Sequence, residues 1–174
     1  MDSQHRLADI HAIQQNLYNY ARGVDRKDWA RVRSAYHPDA YDNHGSYKGD
    51  VNGFIASLEE RHAAISRSIH LITNVLVEFI DEDSALVESA FTAHQRVHDF
   101  SNPGAAVDNR SIGRYLDYVT RRDGHWRIAR RDVIFDFYHT SPATDSPRLT
   151  QDATLSKRDD SDLLCTRRSE LGLG

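Results

Sequence analysis

His70 stands at the mouth of an apolar, β-branched run, Arg67-Ser68-Ile69-His70-Leu71-Ile72-Thr73-Asn74-Val75-Leu76-Val77-Glu78. The segment before it reads as helix and the run itself as strand. A histidine at that junction can reach a cavity between a helix and a sheet. Removal of a proton next to an activating group needs a base that titrates near the working pH, and imidazole suits that task. A carboxylate on the far ring nitrogen would fix the tautomer and stabilise the imidazolium as it forms. Asp25 supplies the right group just after the first helical stretch. The same two residues also fit a structural pairing of roles, a strand-edge histidine and a helix cap. Tyr20 could donate a proton to a leaving hydroxyl or a carbonyl oxygen, and its spacing fits core packing equally well. Arg131 shares a two-residue period with Ala129, Val133, Phe135 and Phe137. A guanidinium on an apolar face needs an anion, either a buried carboxylate such as Asp25 or a substrate oxyanion. The alternative is an edge-strand arginine reaching water.

Other chemistries find less support. His94 and His98 are four residues apart, which on a helix would place both on one face for zinc. On a strand they stand ~13 Å apart at ~3.3 Å per residue, too far to share an ion, so no metal is expected. The single cysteine, Cys165, allows neither an intrachain disulfide nor a cysteine metal cluster. No serine sits in a nucleophile elbow, and there is no phosphate-binding glycine loop. A net charge of −4 does not point to nucleic acid or an anionic membrane. Asp42 and His44 suit either the mouth of a pocket or a turn. Asp108, Arg114 and Asp117 read as cross-strand charges.

The elements that must hold these residues follow from periodicity. The 174 residues, 39% hydrophobic, fit one globular domain with room for a core and a pocket. Leu7, Ile10, Ile13, Leu17 and Tyr20 recur at helical steps, predicting a helix over 3–22 that Ser3 could cap and Gly23 ends. A second helix, with Asp28 or Asp25 as N-cap, runs to about Ala35. His37-Pro38 breaks it, Tyr41 to Tyr47 reads as a short strand, and Asp50 caps a third helix carrying Val51, Phe54, Ile55, Leu58 and His62. The period then changes to two. Strands are expected over 69–80, 85–98, 109–121 and 126–138, with Ser101-Asn102-Pro103-Gly104 as a loop and Asp123-Gly124 as a hairpin turn. Helices first and an antiparallel meander last give an α+β fold with helices on one face of a curved sheet. Residues 1–140 form the domain. Residues 141–174 are a polar tail, expected to be flexible or packed on a neighbouring subunit. The N-terminus lacks an apolar signal core and no run is long enough for a bilayer, so a cytoplasmic protein without membrane or nucleic-acid partners is expected. One face of the sheet should be too apolar for a monomer to leave wet, predicting a homo-oligomer.

Six runs in order resemble the SnoaL-like branch of the nuclear transport factor 2-like superfamily. They are Tyr20 to Trp29, His37-Pro38-Asp39-Ala40, Asp42-Asn43-His44-Gly45 with Tyr47-Lys48-Gly49, His70-Leu71-Ile72-Thr73-Asn74, Gly113 to Asp117, and Gly124 to Arg131. The resemblance spans about residues 5–138. It implies a cone-shaped roll, a strongly curved mixed, mainly antiparallel sheet that three N-terminal helices close around a pocket. It is similar to the scytalone dehydratase, hexachlorocyclohexane dehydrochlorinase and bile-acid 7α-dehydratase members, which eliminate water or HCl without a cofactor. Their catalytic aspartate and histidine match Asp25 and His70, with Tyr20 and Arg131 at helper positions. Tyr115, Phe91, Phe54 and Val133 are the expected apolar walls. The resemblance therefore implies a cofactor-free lyase or isomerase acting on a small hydrophobic cyclic molecule, in a dimer or trimer. The same fold also hosts polyketide cyclases and proteins that only bind a ligand.

Overall fold

A computed structural model describes residues 3–102, 104–144 and 153–173, with side chains described from Arg6 onward. Three helices come first: α1 (Ser3–Arg26), α2 (Trp29–Ser34) and, after strands β1 (Tyr36–Asn43) and β2 (Lys48–Asp50), α3 (Val51–His62). The long strands β3 (Ile65–Phe79), β4 (Ser84–His98), β5 (Ala106–Arg122) and β6 (His125–Pro142) follow, and α4 (Leu163–Glu170) lies in the tail. One six-stranded sheet has the order β2-β1-β6-β5-β4-β3. Its pairs are antiparallel except β1 with β6, which is parallel. This is the mixed α+β architecture that the sequence predicts. Pro103 and the proposed Ser3 cap lie outside the described residues and side chains.

The buried stripe Ile13, Leu17, Tyr20 and Val24 turns α1 toward the sheet's concave face. Asp28 caps α2 and Asp50 caps α3 through their carboxylates. Gly23 does not end α1 as its type suggests. It is a point of close approach, because a Cβ there would meet Val32 Cγ2 at 2.9 Å. The left-handed residue that ends the helix is Lys27, at φ 57°. Carrying the helix past Gly23 keeps Asp25 in its last turn.

The sheet bends through bulges. The β5–β6 register shifts between Ile112 and Gly113 and between Tyr118 and Val119, skipping Asp136 and Ala129 on β6. Each extra residue resets the alternation of faces. Phe137 consequently leaves the face of Arg131 and is 70% exposed, correcting the unbroken two-residue period. Gly113 makes the bend possible, since a Cβ there would lie 2.1 Å from the Ile134 carbonyl oxygen. On the convex face Leu71, Thr92, Ile112 and Phe137 form one cross-strand row, with Ile69, Leu86 and Ile134 also exposed.

The described part of the tail makes contacts within its own chain. It folds back on its own chain, and Arg158 is buried at the junction of α1 and β3. The physical reason is hydrogen bonding rather than apolar burial, which the polar composition could not reveal.

Candidate active site

Between the helices and the concave sheet face lies a cavity of about 410 Å³. Tyr20 and Val24 of α1, Leu58, Arg61 and His62 of α3, His70 of β3, and Phe91 and Ala93 of β4 line it. Gln95 of β4, Ser111 and Tyr115 of β5, Val133, Phe135 and Tyr138 of β6, and His44, Gly45 and Ser46 beyond β1 complete the wall. Aromatic and aliphatic side chains make up somewhat more than half of the lining, and Arg61, three histidines and Gln95 are among its polar groups.

Asp25 and His70 meet at this wall. His70 Nδ1 lies 2.7 Å from Asp25 Oδ1, and the His70 backbone N–H donates to Oδ2 at 2.8 Å. The Ser68 hydroxyl donates to Oδ1 at 2.8 Å. Ser68 and His70 point the same way because they are two residues apart on a strand. β3 is the sheet's edge, so an amide on its open side has no strand partner and is free to bond the carboxylate. Burial pushes the Asp25 carboxyl up, but the hydrogen bonds from His70 and Ser68 outweigh it and hold the carboxyl below its ordinary range. With Asp25 on Nδ1–H, the neutral ring keeps its lone pair on Nε2, the nitrogen left for the cavity.

A second charged row crosses β1, β6 and β5. Asp42 pairs in register with Arg131, and Arg131 with Asp117. Arg131 forms a two-pronged ion pair with Asp117, at 2.7 and 2.6 Å, and both side chains are fully buried. The guanidinium stands 4.3 Å from the Tyr20 ring centroid and 4.0 Å from that of Tyr115. Arg131 thus finds a buried carboxylate, but its partner is Asp117 rather than Asp25. It supports the wall rings from behind instead of reaching the cavity. Asp117, read from sequence as a cross-strand charge, has that geometry, buried on the concave face.

Asp42 is fully buried, takes the Tyr36 hydroxyl at 2.7 Å on Oδ2, and binds His44 Nδ1 through Oδ1. His44 Nε2 lies 3.3 Å from the Tyr20 hydroxyl. Burial lowers the His44 pKa, with Arg131 and Arg61 adding to the effect and Asp42 opposing it. Burial raises Tyr20 to about 12, against the opposing Arg131 charge. Of the expected walls, Tyr115, Phe91 and Val133 line the cavity. Phe54 does not; it is wholly buried and stacks under the His44 ring at 4.4 Å.

The residue least visible from sequence is Arg158. Its Nε donates to the Asp25 carbonyl at 2.9 Å, one terminal nitrogen to the Val24 carbonyl at 2.9 Å and the other to that of Ile65 at 2.8 Å. It also donates to His62 Nδ1 at 2.7 Å. The last carbonyls of α1 have no intrahelical partners, and a cation at a helix C-terminus satisfies both the bonds and the dipole. The tail thus ties the end of α1, carrying Asp25, to the start of β3, carrying His70. Burial first, then the Arg158 charge, lowers the His62 pKa to about 3.

No helix among the described residues is long and apolar enough to cross a membrane. Comparison with solved structures supports the fold. A provisionally named scytalone dehydratase from Novosphingobium aromaticivorans superposes with a TM-score of 0.70 at 20% identity, over 83% of this chain and 94% of that one. A type 2 hexachlorocyclohexane dehydrochlorinase gives 0.69 at 20% identity, over 82% and 94%. A provisionally named aromatic ring hydroxylase from N. aromaticivorans gives 0.67 at 25% identity, over 79% and 94%. No curated protein matches the sequence. The family model described as the SnoaL-like domain matches residues 5–132, and the chain belongs to that family.

Proposed function

We propose that this protein is a cofactor-independent lyase or isomerase acting on a small hydrophobic, cyclic molecule. The carrying observation is the Asp25–His70 pair at the wall of a cavity whose lining is somewhat more than half apolar, with Nδ1 engaged and Nε2 left as the base. In an elimination, His70 Nε2 takes a proton from a carbon. The C–H electron pair becomes the new double bond as the leaving group departs from the neighbouring carbon. Asp25 stabilises the imidazolium so formed. A leaving hydroxyl takes a proton from Tyr20, which lines the same cavity. The proton on His70 then returns to Tyr20 through water, restoring both groups. In an isomerisation, the proton on His70 is returned to a different carbon of the same molecule. Proton uptake turns the carboxylate–imidazole pair into a net-neutral carboxylate–imidazolium pair, which the apolar part of the wall favours.

The names of the similar structures, a dehydratase and a dehydrochlorinase, favour elimination. Turnover of a panel of steroids, terpenoids and aromatic polyketides, followed by mass and by proton exchange with deuterated water, tests the proposal. Loss of water or HCl, or exchange of a carbon-bound proton, is expected in wild type and not in His70→Gln. Equal rates in both proteins on a genuine substrate would remove the base. Tight binding without exchange or product would favour a ligand-binding role for the same pocket.

A further inference from the structure

The cavity that holds the Asp25–His70 pair is graded from a dry floor to a wet rim. Tyr20, Leu58, Phe91, Ala93 and Tyr115 line it and are buried, whereas Gly45, Ser46, Arg61, Phe135 and Tyr138 line it and are exposed. We propose that Arg61 at the rim anchors a carboxylate, so that the cavity takes a cyclic molecule carrying an acid group, ring inward and acid outward. This rests on the functional reading above, whose substrate class it narrows.

The argument runs from charge. Among the described residues no aspartate or glutamate lines the cavity, and Arg61 is the only arginine or lysine that does. The histidines do not compete for an anion. Burial lowers the His44 pKa, and burial with the Arg158 charge takes His62 to about 3, so both rings are neutral at neutral pH. His70 must also start neutral to act as the base. Arg31, Arg121 and Arg131 each pair with an aspartate. Arg61 makes no hydrogen bond or ion pair with any described residue. Glu59 and Glu60 precede it in α3 but are exposed and do not line the cavity. The Arg61 charge reaches Tyr20, His44 and His62, so the guanidinium stands toward the cavity rather than away from it.

The chemistry of the anion follows from the same inventory. A guanidinium presents a planar fork that matches a carboxylate. The loop after β1 adds the Ser46 hydroxyl, and no second cation joins the rim, which suits a singly charged carboxylate better than a phosphate dianion. Position orients the ligand. A charge taken to the floor would lose its water without a partner, whereas a ring buried there loses nothing. The acid therefore stays at the rim with Arg61 and water, and the ring carries its reacting carbon in to His70. Arg61 is a specificity-determining residue in this arrangement. It also lies in the last turn of α3, where a cation favours the helix dipole, and that structural role predicts different results.

The test uses 2-naphthoate and 2-naphthamide, a charged and a neutral ligand on one ring body, titrated by calorimetry at neutral pH. An exposed ion pair raises affinity by up to about fivefold, so wild type should bind the acid about fivefold tighter than the amide. In Arg61→Gln the ratio should fall below about twofold, and about 0.5 M salt should narrow it in wild type but not in the variant. Arg61→Lys keeps the charge without the fork and should retain part of the preference. Arg127→Gln removes the same charge away from the lining and should keep the whole of it. A role confined to the end of α3 would lower the unfolding midpoint in Arg61→Gln and leave the ratio as it was. Equal affinities in wild type, binding of neither probe, a ratio that survives Arg61→Gln, or one lost equally in Arg127→Gln would each overturn the inference. A ratio lost only in Arg61→Gln, beside turnover that His70→Gln does not change, would remove the lyase or isomerase reading and leave the carboxylate site standing. Turnover that depends on His70, beside equal binding of the two probes, would do the reverse.

Discussion

Replacing Arg158 by alanine removes four hydrogen bonds at once, from the Val24, Asp25 and Ile65 carbonyls and from His62 Nδ1. A hydrogen bond involving a charged group contributes about 1.5–3 kcal/mol, so four would set a ceiling of about 6–12 kcal/mol. The net loss is smaller. The carbonyls lie at an element end, where water replaces the guanidinium once the tail lifts, and the freed tail regains conformational entropy. A destabilisation of about 2–4 kcal/mol is expected, at the upper end of ordinary single substitutions. Urea unfolding followed by tryptophan emission measures it. A second readout is specific to the contact. The Arg158 charge is the next cause after burial of the low His62 pKa, so the His62 value of about 3 should rise toward the ordinary range in the variant. Lysine at 158 has three donors on one nitrogen and cannot span carbonyls on both α1 and β3, so it should recover only part of the stability. An unchanged unfolding midpoint together with an unchanged His62 titration would refute the reasoning that the tail is an integral clamp.

Four further outcomes follow from the same geometry. Asp25→Asn should slow turnover sharply, and the Asp25→Asn/His70→Ala double variant should be little worse than His70→Ala, because the pair works as a unit; multiplicative losses would show that Asp25 acts elsewhere. Arg131→Met should cost about 3–5 kcal/mol by leaving Asp117 buried and unpaired, and adding Asp117→Leu should recover much of it; no recovery would mean that packing, not charge, sets the cost. His62 has a folded pKa below its unfolded value, so the unfolded chain binds the extra proton; stability should be intact above about pH 6.5 and fall toward pH 3 by up to about 1.4 kcal/mol per unit, with Asp25 adding to the loss only below about pH 4. A urea midpoint that stays constant from pH 7 to 5 would contradict this. The exposed Leu71 and Phe137, with the half-buried Ile112 between them, should be covered in a dimer or trimer, and a monomeric mass by light scattering at micromolar concentration would count against it.

Local order was largely legible in the sequence because it depends on local physics. The α1 stripe, the Asp50 cap, the Asp123-Gly124 turn and the change of period after α3 each rest on spacings of a few residues. The residues of the Asp25–His70 pair were identified by type and by resemblance. Partner choice was decided only by tertiary structure. Periodicity says which face a side chain occupies, not which strand lies opposite, and each bulge in β6 resets even the face. That is why Arg131 was expected near Asp25 or a substrate and instead binds Asp117, and why Phe137 faces outward. Asp42 and His44 carried a usable signal, two polar residues two positions apart at the end of a short strand, but only the parallel β1–β6 pairing brings Asp42 beside Arg131. Arg158 carried none. An arginine in a polar tail looks the same whether it meets water or carbonyl groups of two distant elements, and only the closed fold supplies those carbonyls.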